Sequence, residues 1–378
     1  MKNSKGVLIS TFKSIAILSV LISSIASSQA SPGFSVSDNL GFQPGGTTSY
    51  TVPIATQINT TNLAILAAGN AGVQDLGVMP RTSPSATILK NGALVIAFQA
   101  NNGNLYTTGT QGVKNWGAGM MEGTSPSITL TTNGYQIAFQ ANTGNLFIVG
   151  DSGPGDTRLG MRRGTSPSIT TLYNGTTVTA FQANTGNLLT YGASGVRDWN
   201  AGMMVDTSPS ITAVGRLNQF QIAFQANTGD LFVVGDRAPG STGLGMMHGT
   251  SPSITTLVNG QTITAFQANT GNLYTTGYGG VRNWQLGMKE GTSPSISTIM
   301  IAGTTSSIIG FPWDAYQIAF QTNVGNLYTT GSFSNGGMDH GMAPNSSPAI
   351  VPMVAWVVPQ ERSRPVIINV GPFPVWSW

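Results

Sequence analysis

Gln136-Ile-Ala-Phe-Gln-Ala-Asn-Thr-Gly-Asn-Leu-Phe-Ile-Val-Gly150, followed by Gly164-Thr-Ser-Pro-Ser-Ile169, decides the fold, because both pieces return in that order along nearly the whole chain. The Phe-Gln pair heads copies at Phe98, Phe139, Phe181, Phe224, Phe266 and Phe320, with steps of 41, 42, 43, 42 and 54 residues. The Thr/Ser-Ser-Pro piece starts at Thr82, Thr124, Thr165, Thr207, Thr250, Thr292 and Ser346. A seventh, worn copy stands at the front, where Thr56-Gln-Ile-Asn-Thr-Thr-Asn-Leu63 aligns with Phe139-Gln-Ala-Asn-Thr-Gly-Asn-Leu146. A period near 42 means a repeat architecture.

Each unit reads as strands. Ile137–Ala141 has the apolar density of a strand. Asn142-Thr-Gly-Asn145 supplies a tight reversal, and Leu146–Val149 returns antiparallel. A Gly-rich loop leads to a short strand at Leu159–Met161, and Ser166–Thr170 is another, with its Pro near the start. Asn91-Gly92, Asn133-Gly134, Asn174-Gly175 and Asn259-Gly260 form hairpin turns into the next Phe-Gln strand. Four short strands per unit predict a propeller blade, and seven units predict an all-β, seven-bladed β-propeller over 52–350. No apolar period of 3.6 residues persists in the repeats, so a helical fold has no support.

The ends are not periodic. Residues 1–30 read as a secretory signal, with Lys2, Lys5 and Lys13, an apolar stretch Ser14–Ala26, and small residues at Ser28-Gln-Ala30. Residues 31–51 read as a segment packed on the ring. Residues 351–378 read as a closing tail that pairs with or covers the Val52–Thr82 blade, so that cutting after Pro352 destabilises the ring. No later stretch has the 18 apolar residues of a membrane helix. The chain holds 16 basic and 13 acidic residues; without the three signal lysines the two balance. A basic surface for nucleic acid or anionic membranes therefore loses its basis. The absence of cysteine means that ring closure is non-covalent.

Blades alternate in type. Units at Phe98, Phe181 and Phe266 carry Gly112-Val-Lys-Asn-Trp116, Gly195-Val-Arg-Asp-Trp199 and Gly280-Val-Arg-Asn-Trp284. Units at Phe139 and Phe224 carry Asp151-Ser-Gly-Pro-Gly155 and Asp236-Arg-Ala-Pro-Gly240 instead. Such alternation points to a duplicated two-blade ancestor and to sites shared between neighbours. The candidate ligand-binding residues are Lys114, Asn115, Trp116, Arg197, Asp198, Trp199, Arg282, Asn283 and Trp284: an indole face for a sugar ring, with a cation and an amide or carboxylate for hydroxyls. The competing reading is an indole that plugs the gap between blades.

The remaining recurrent residues read as structural. Gln99, Gln140, Gln182, Gln225, Gln267 and Gln321 form a hydrogen-bonded ladder, and the Asn two positions on makes the turn. Met120, Met161, Met203, Met246, Met288 and Met342 fill the core. Asp151–Asp156 has too few carboxylates for calcium, His248 and His340 are the only histidines, and no recurring acid pair or Ser-His-Asp set suggests catalysis. Neither metal nor cofactor is expected.

Ala265-Phe-Gln-Ala-Asn-Thr-Gly-Asn-Leu-Tyr-Thr-Thr-Gly277, with Leu286-Gly-Met288 and Gly291-Thr-Ser-Pro-Ser-Ile296, resembles repeats of secreted bacterial proteins, some of them non-catalytic modules on hydrolases. The architecture is similar to the tachylectin-2, tectonin and bangle-lectin propellers, over about residues 52–350. This resemblance implies a secreted, multivalent lectin whose partners are glycans, with oligomerisation possible; no sugar-contact residue transfers position by position. A protein-interaction propeller, partner to a toxin or hydrolase, is the alternative. Asn59, Asn174 and Asn345 head N-glycosylation sequons.

Overall fold

The computed structural model describes residues 54–358, apart from 59–60, 68–69, 216–217, 304–313, 333–334 and 351–352, and also residues 367–371. The signal, the 31–51 segment, Asn59 and the last tryptophans lie outside the described residues. Every regular element among the described residues is a strand, and the strands form seven sheets. Blade 3 shows the pattern: Ser127–Leu130, Tyr135–Gln140, Asn145–Gly150 and Gly155–Gly160, each antiparallel to the next. Blades 2, 4, 5 and 6 repeat it over 85–119, 168–202, 210–245 and 253–287. Blade 7 begins at Ser295, and blade 1 starts with Ile54–Gln57.

The strand of the Thr-Ser-Pro-Ser-Ile motif, or of its variants Thr82–Ala86 and Ser346–Ile350, is the innermost of each blade, since these strands touch one another in succession around the ring. Each residue of the motif has a task. The Thr hydroxyl donates to the carbonyl three residues back, as in Thr124 Oγ1 to Met121 at 2.7 Å. The first Ser forms a closed circle: the amides of Ser83, Ser125, Ser166, Ser208, Ser251, Ser293 and Ser347 each donate at 2.9 Å to the next hydroxyl, and Ser347 donates to Ser83. The second Ser forms a counter-running circle, accepting from the amides of Ile128, Ile169, Ile211, Ile254, Ile296 and Ile350 at 3.1–3.2 Å. That circle stops at the seam, where Ala349 has no hydroxyl. The Ile is buried.

Blade faces pack through Phe. Phe139 enters a cluster with Ala97, Leu105 and Met120 of blade 2, and Phe181 does the same with Leu146 and Met161 of blade 3. All six Phe rings are at most 1% exposed; each Phe→Ala change therefore costs about 3–5 kcal/mol. Seven such clusters occur among the described residues, one per junction. In blade 1 the Phe is replaced by the buried Thr56, and Ile54, Leu66 and Ile350 fill the seam.

Gln ties each blade to the segment that leaves it, and Met in that segment reaches the next blade. Gln99 Nε2 donates to the carbonyls of Met120 and Met121 at 3.2 and 3.1 Å. Met120 itself bridges Ala141 of the next blade, and equivalent bridges run around the ring to Ile58 with Met342. The Asn after each Gln does more than turn the chain. Asn142 lies so close to Gly119 of the preceding blade that a Cβ there would sit 2.5 Å from its Nδ2.

Two expectations change. The outer strand is a full six residues in blade 3, not a short Leu159–Met161 piece, because Gly155 and Asp156 pair with Ile148 and Phe147 before the bulge between Asn145 and Phe147. The ring closes earlier than the 351–378 tail: Ala349–Ile350 supplies the innermost strand of blade 1, pairing with Ala55 and Ile54. The tail strands Met353–Val358 and Ile367–Gly371 instead extend the blade 7 sheet, the first of them parallel to Ile299–Gly303.

A chain ended after Pro352 should keep a cooperative melting transition, whereas one ended after Asn345 should lose it. Loss in both would show that closure depends on the tail. Ala349→Ser should complete the second hydroxyl circle and raise stability by about 0.5–1.5 kcal/mol in denaturant unfolding; an unchanged midpoint would refute that account.

Candidate functional site

The nine predicted site residues fall into three copies of one arrangement, on the outer strands of blades 2, 4 and 6 and not in loops. Each cation lies over the indole two residues on: Lys114 Nζ is 3.5 Å from the Trp116 ring, Arg197 Cζ 3.7 Å from Trp199, and Arg282 Cζ 3.6 Å from Trp284. The cations are exposed and the indoles half-buried. Each indole N–H donates to a threonine of its own blade, Thr107, Thr190 or Thr275, at 3.1–3.2 Å. Trp116 meets Tyr135 of the next blade edge-on at 6.2 Å, and Trp199 meets Phe220 at 6.1 Å. Trp284 shares a cluster with Tyr316.

Asn115, Asp198 and Asn283 face the backbone. Their side-chain oxygens accept the amides of Gly117, Asn200 and Gln285 at 2.8 Å. Those three residues have φ of 61°, 50° and 55°, a left-handed conformation at the outer-strand bulge that the acceptor stabilises. The indole N–H and the amide or carboxylate are thus engaged within the blade, and the cation N–H groups are what the stack offers outward. The third copy carries an extra acid. A hydrogen bond to Asp314 holds the Tyr278 phenol above its usual pKa. Burial pushes Tyr316 up, against the lowering pull of Arg282.

A different site lies at the junction of blades 3 and 4. A cleft of about 460 Å³ opens on the face carrying the first and third turns of each blade, lined by Thr131, Asn133, Gln136, Asp151, Thr177 and Tyr191 among others. Its polar groups form a chain across the junction. Thr177 Oγ1 of blade 4 donates to Gln136 Oε1 at 2.8 Å, and Gln136 Nε2 donates to the Asp151 carbonyl at 2.5 Å. Thr131 Oγ1 holds Asp151 Oδ2 at 2.8 Å. Gly134 has no positive φ; its glycine is required because a Cβ would lie 2.6 Å from Asp151 Oδ2. The second acid of the Asp151–Asp156 loop works elsewhere, accepting Arg158 N at the outer-strand bulge.

The same chain recurs between blades 5 and 6, where Thr262 Oγ1 donates to Gln221 Oε1 at 2.7 Å and Gln221 Nε2 to the Asp236 carbonyl at 2.7 Å. Two junction types therefore alternate. Trp faces an aromatic residue at junctions 2/3, 4/5 and 6/7, and Gln faces Thr at junctions 3/4 and 5/6. The sequence reading missed the second type, although its trace is there. Three residues before Phe stand Gln136 and Gln221, against Val178 and Ile263; four before stand Tyr135 and Phe220, against Thr177 and Thr262.

No protein-family model and no curated protein sequence matches the chain. Among solved structures it is similar to AofleA from Arthrobotrys oligospora, at 10% identity and a TM-score of 0.49, covering 72% of this chain and 90% of that one. An Aleuria aurantia lectin variant in complex with Fucalpha1-6GlcNAc gives 13% and 0.48, covering 79% and 97%. BBS1N in complex with ARL6DN gives 8% and 0.48, covering 75% and 87%. A lectin and a protein in complex with another protein thus stand at the same distance, and the likeness assigns neither a ligand nor a residue role.

Trp116→Ala should destabilise the protein by about 2–3 kcal/mol, below the full cost of a buried aromatic because the ring is half-exposed. Lys114→Gln should cost under about 1 kcal/mol. Equal losses in chemical denaturation would show that the cation, not the indole, holds the 2/3 junction.

Proposed function

We propose that this protein is a secreted, multivalent carbohydrate-binding protein whose ligands dock at its blade junctions. The carrying observation is the cleft between blades 3 and 4: its size suits one or two sugar rings, and hydroxyls and amides from two blades converge on it around the half-buried Tyr191. Hydroxyl-rich ligands exchange hydrogen bonds with such groups, and the cross-junction chain pre-organises them, so little ordering is lost on binding. We place a second site at the 5/6 junction, where the same hydrogen-bond chain recurs; two sites on one ring favour avidity on a glycan-coated surface. We assign Lys114, Asn115, Trp116, Arg197, Asp198, Trp199, Arg282, Asn283 and Trp284 to outer contacts with longer glycans, made chiefly through the exposed cations. The 1–30 leader reading supports secretion.

A glycan array on the folded protein, followed by titration of the best ligand, tests the proposal. Tyr191→Phe and Asn133→Ala each remove one cleft group outside the cross-junction chain and should weaken binding about three- to tenfold without moving the melting point. A folded protein that binds no glycan, yet captures a protein partner through this face, would establish the interaction-propeller reading instead.

A further inference from the structure

The two Gln–Thr junctions share one hydrogen-bond chain but differ in charge. At the 3/4 junction Asp151 is the sole acid among the cleft residues, and no Lys or Arg lines it. Its carboxylate is fixed on one side: Thr131 Oγ1 bonds Oδ2, and Gly134 leaves room for it. The next residue, Ser152, also lines the cleft and has φ 52°. At the 5/6 junction Asp236 Oδ2 is taken by the Phe220 amide at 3.0 Å, and the residue in the place of Ser152 is Arg237, with φ 56°. The same backbone turn thus carries a serine after the first acid and an exposed arginine after the second.

Resting on the carbohydrate-binding reading, we infer that the cleft at the 3/4 junction selects sugars bearing a free ammonium group, with Asp151 as the counter-charge, and that the 5/6 junction takes neutral sugars. A fixed carboxylate in a cleft without cations favours a cationic ligand over its uncharged analogue, and a part-buried site screens that preference less than open solvent does. Acetylation of the amine removes the charge while keeping the ring hydroxyls, so the acetylated sugar isolates the ionic contribution. At the second junction the cationic Arg237 follows the acid and offsets its charge, which removes the preference there.

Titration of the full chain with glucosamine, N-acetylglucosamine, glucose and butylamine, followed through the amide resonances of Gly134 and Gly175, provides the test. Glucosamine should bind at least about fivefold more tightly than either neutral sugar at low salt, with the gap closing as salt rises. Asp151→Asn, which keeps an acceptor for Thr131, and Ser152→Arg, an exposed change copying the second site, should each abolish that gap, bringing glucosamine down to the glucose affinity measured for the same variant. Arg237→Ser should create an ammonium preference at the 5/6 junction. Equal binding of glucosamine and glucose at Gly134 would overturn the inference and leave the carbohydrate reading standing. Butylamine binding as tightly as glucosamine would overturn it as well, by showing a plain cation site. Failure of every sugar at both junctions, with folding intact, would overturn both.

Discussion

A circle of seven hydrogen bonds, each from a serine amide to the hydroxyl of the next blade's serine, is the constraint on which the molecule depends. Each bond contributes only about 1 kcal/mol net. Its importance is geometric. An amide on the innermost strand faces the axis, where no further strand can pair with it, and leaving it buried and unmet would cost more than the bond supplies. A hydroxyl borrowed from the neighbour satisfies it only if the neighbour stands at a set distance and angle. Seven identical demands therefore define blade spacing, and the bond from Ser347 to Ser83 joins the two ends of the chain without a disulfide.

Everything outside the circle follows from a conflict between two numbers. The blades come in pairs of types, but there are seven of them, so the alternation cannot close. Blade 1 absorbs the mismatch. It has Thr56 in place of Phe, and its innermost strand is only Ala349–Ile350, borrowed from the far end of the chain. Ala349 there interrupts the second hydroxyl circle. Blade 1 thus lacks one repeated contact on each side, the Phe toward blade 7 and the second-serine bond toward blade 2, and local opening concentrates where such contacts are fewest.

How much of this was legible follows from where the information lies. The blade count and strand order could be read because Phe-Gln and Thr-Ser-Pro recur at fixed spacing. The role of the serines could not, because a hydroxyl that accepts from a residue 41 to 54 positions away looks locally like any turn serine. The outer strands were read as loops because Gly112-Val-Lys-Asn-Trp116 lacks apolar alternation: an edge strand facing solvent has one neighbour and needs little of it. The backbone role of Asn115 was hidden because its acceptor bond at the bulge depends on the φ of Gly117, which composition does not reveal. The cleft escaped because its walls belong to different repeats, and only comparison of alternate units separates Gln136 and Thr177 from Val178 and Tyr135.

The alternation also explains why a cleft exists at all. At the 2/3 junction Trp116 and Tyr135 fill the space between two outer blade halves with aromatic volume. At the 3/4 junction the position of Trp116 is taken by Thr157, whose hydroxyl turns back to the Leu146 carbonyl at 2.7 Å. The partner position shrinks from Tyr135 to Thr177. Two large rings are therefore replaced by two small hydroxyl side chains while the serine circle holds the blades at the same spacing, and the smaller of the partner residues, Thr177, lines the polar hollow. Blades cannot close the gap without breaking the axis bonds, so the hollow stays open and its walls stay polar. The hollow is thus what remains where a repeat varies its side chains on a spacing it cannot change.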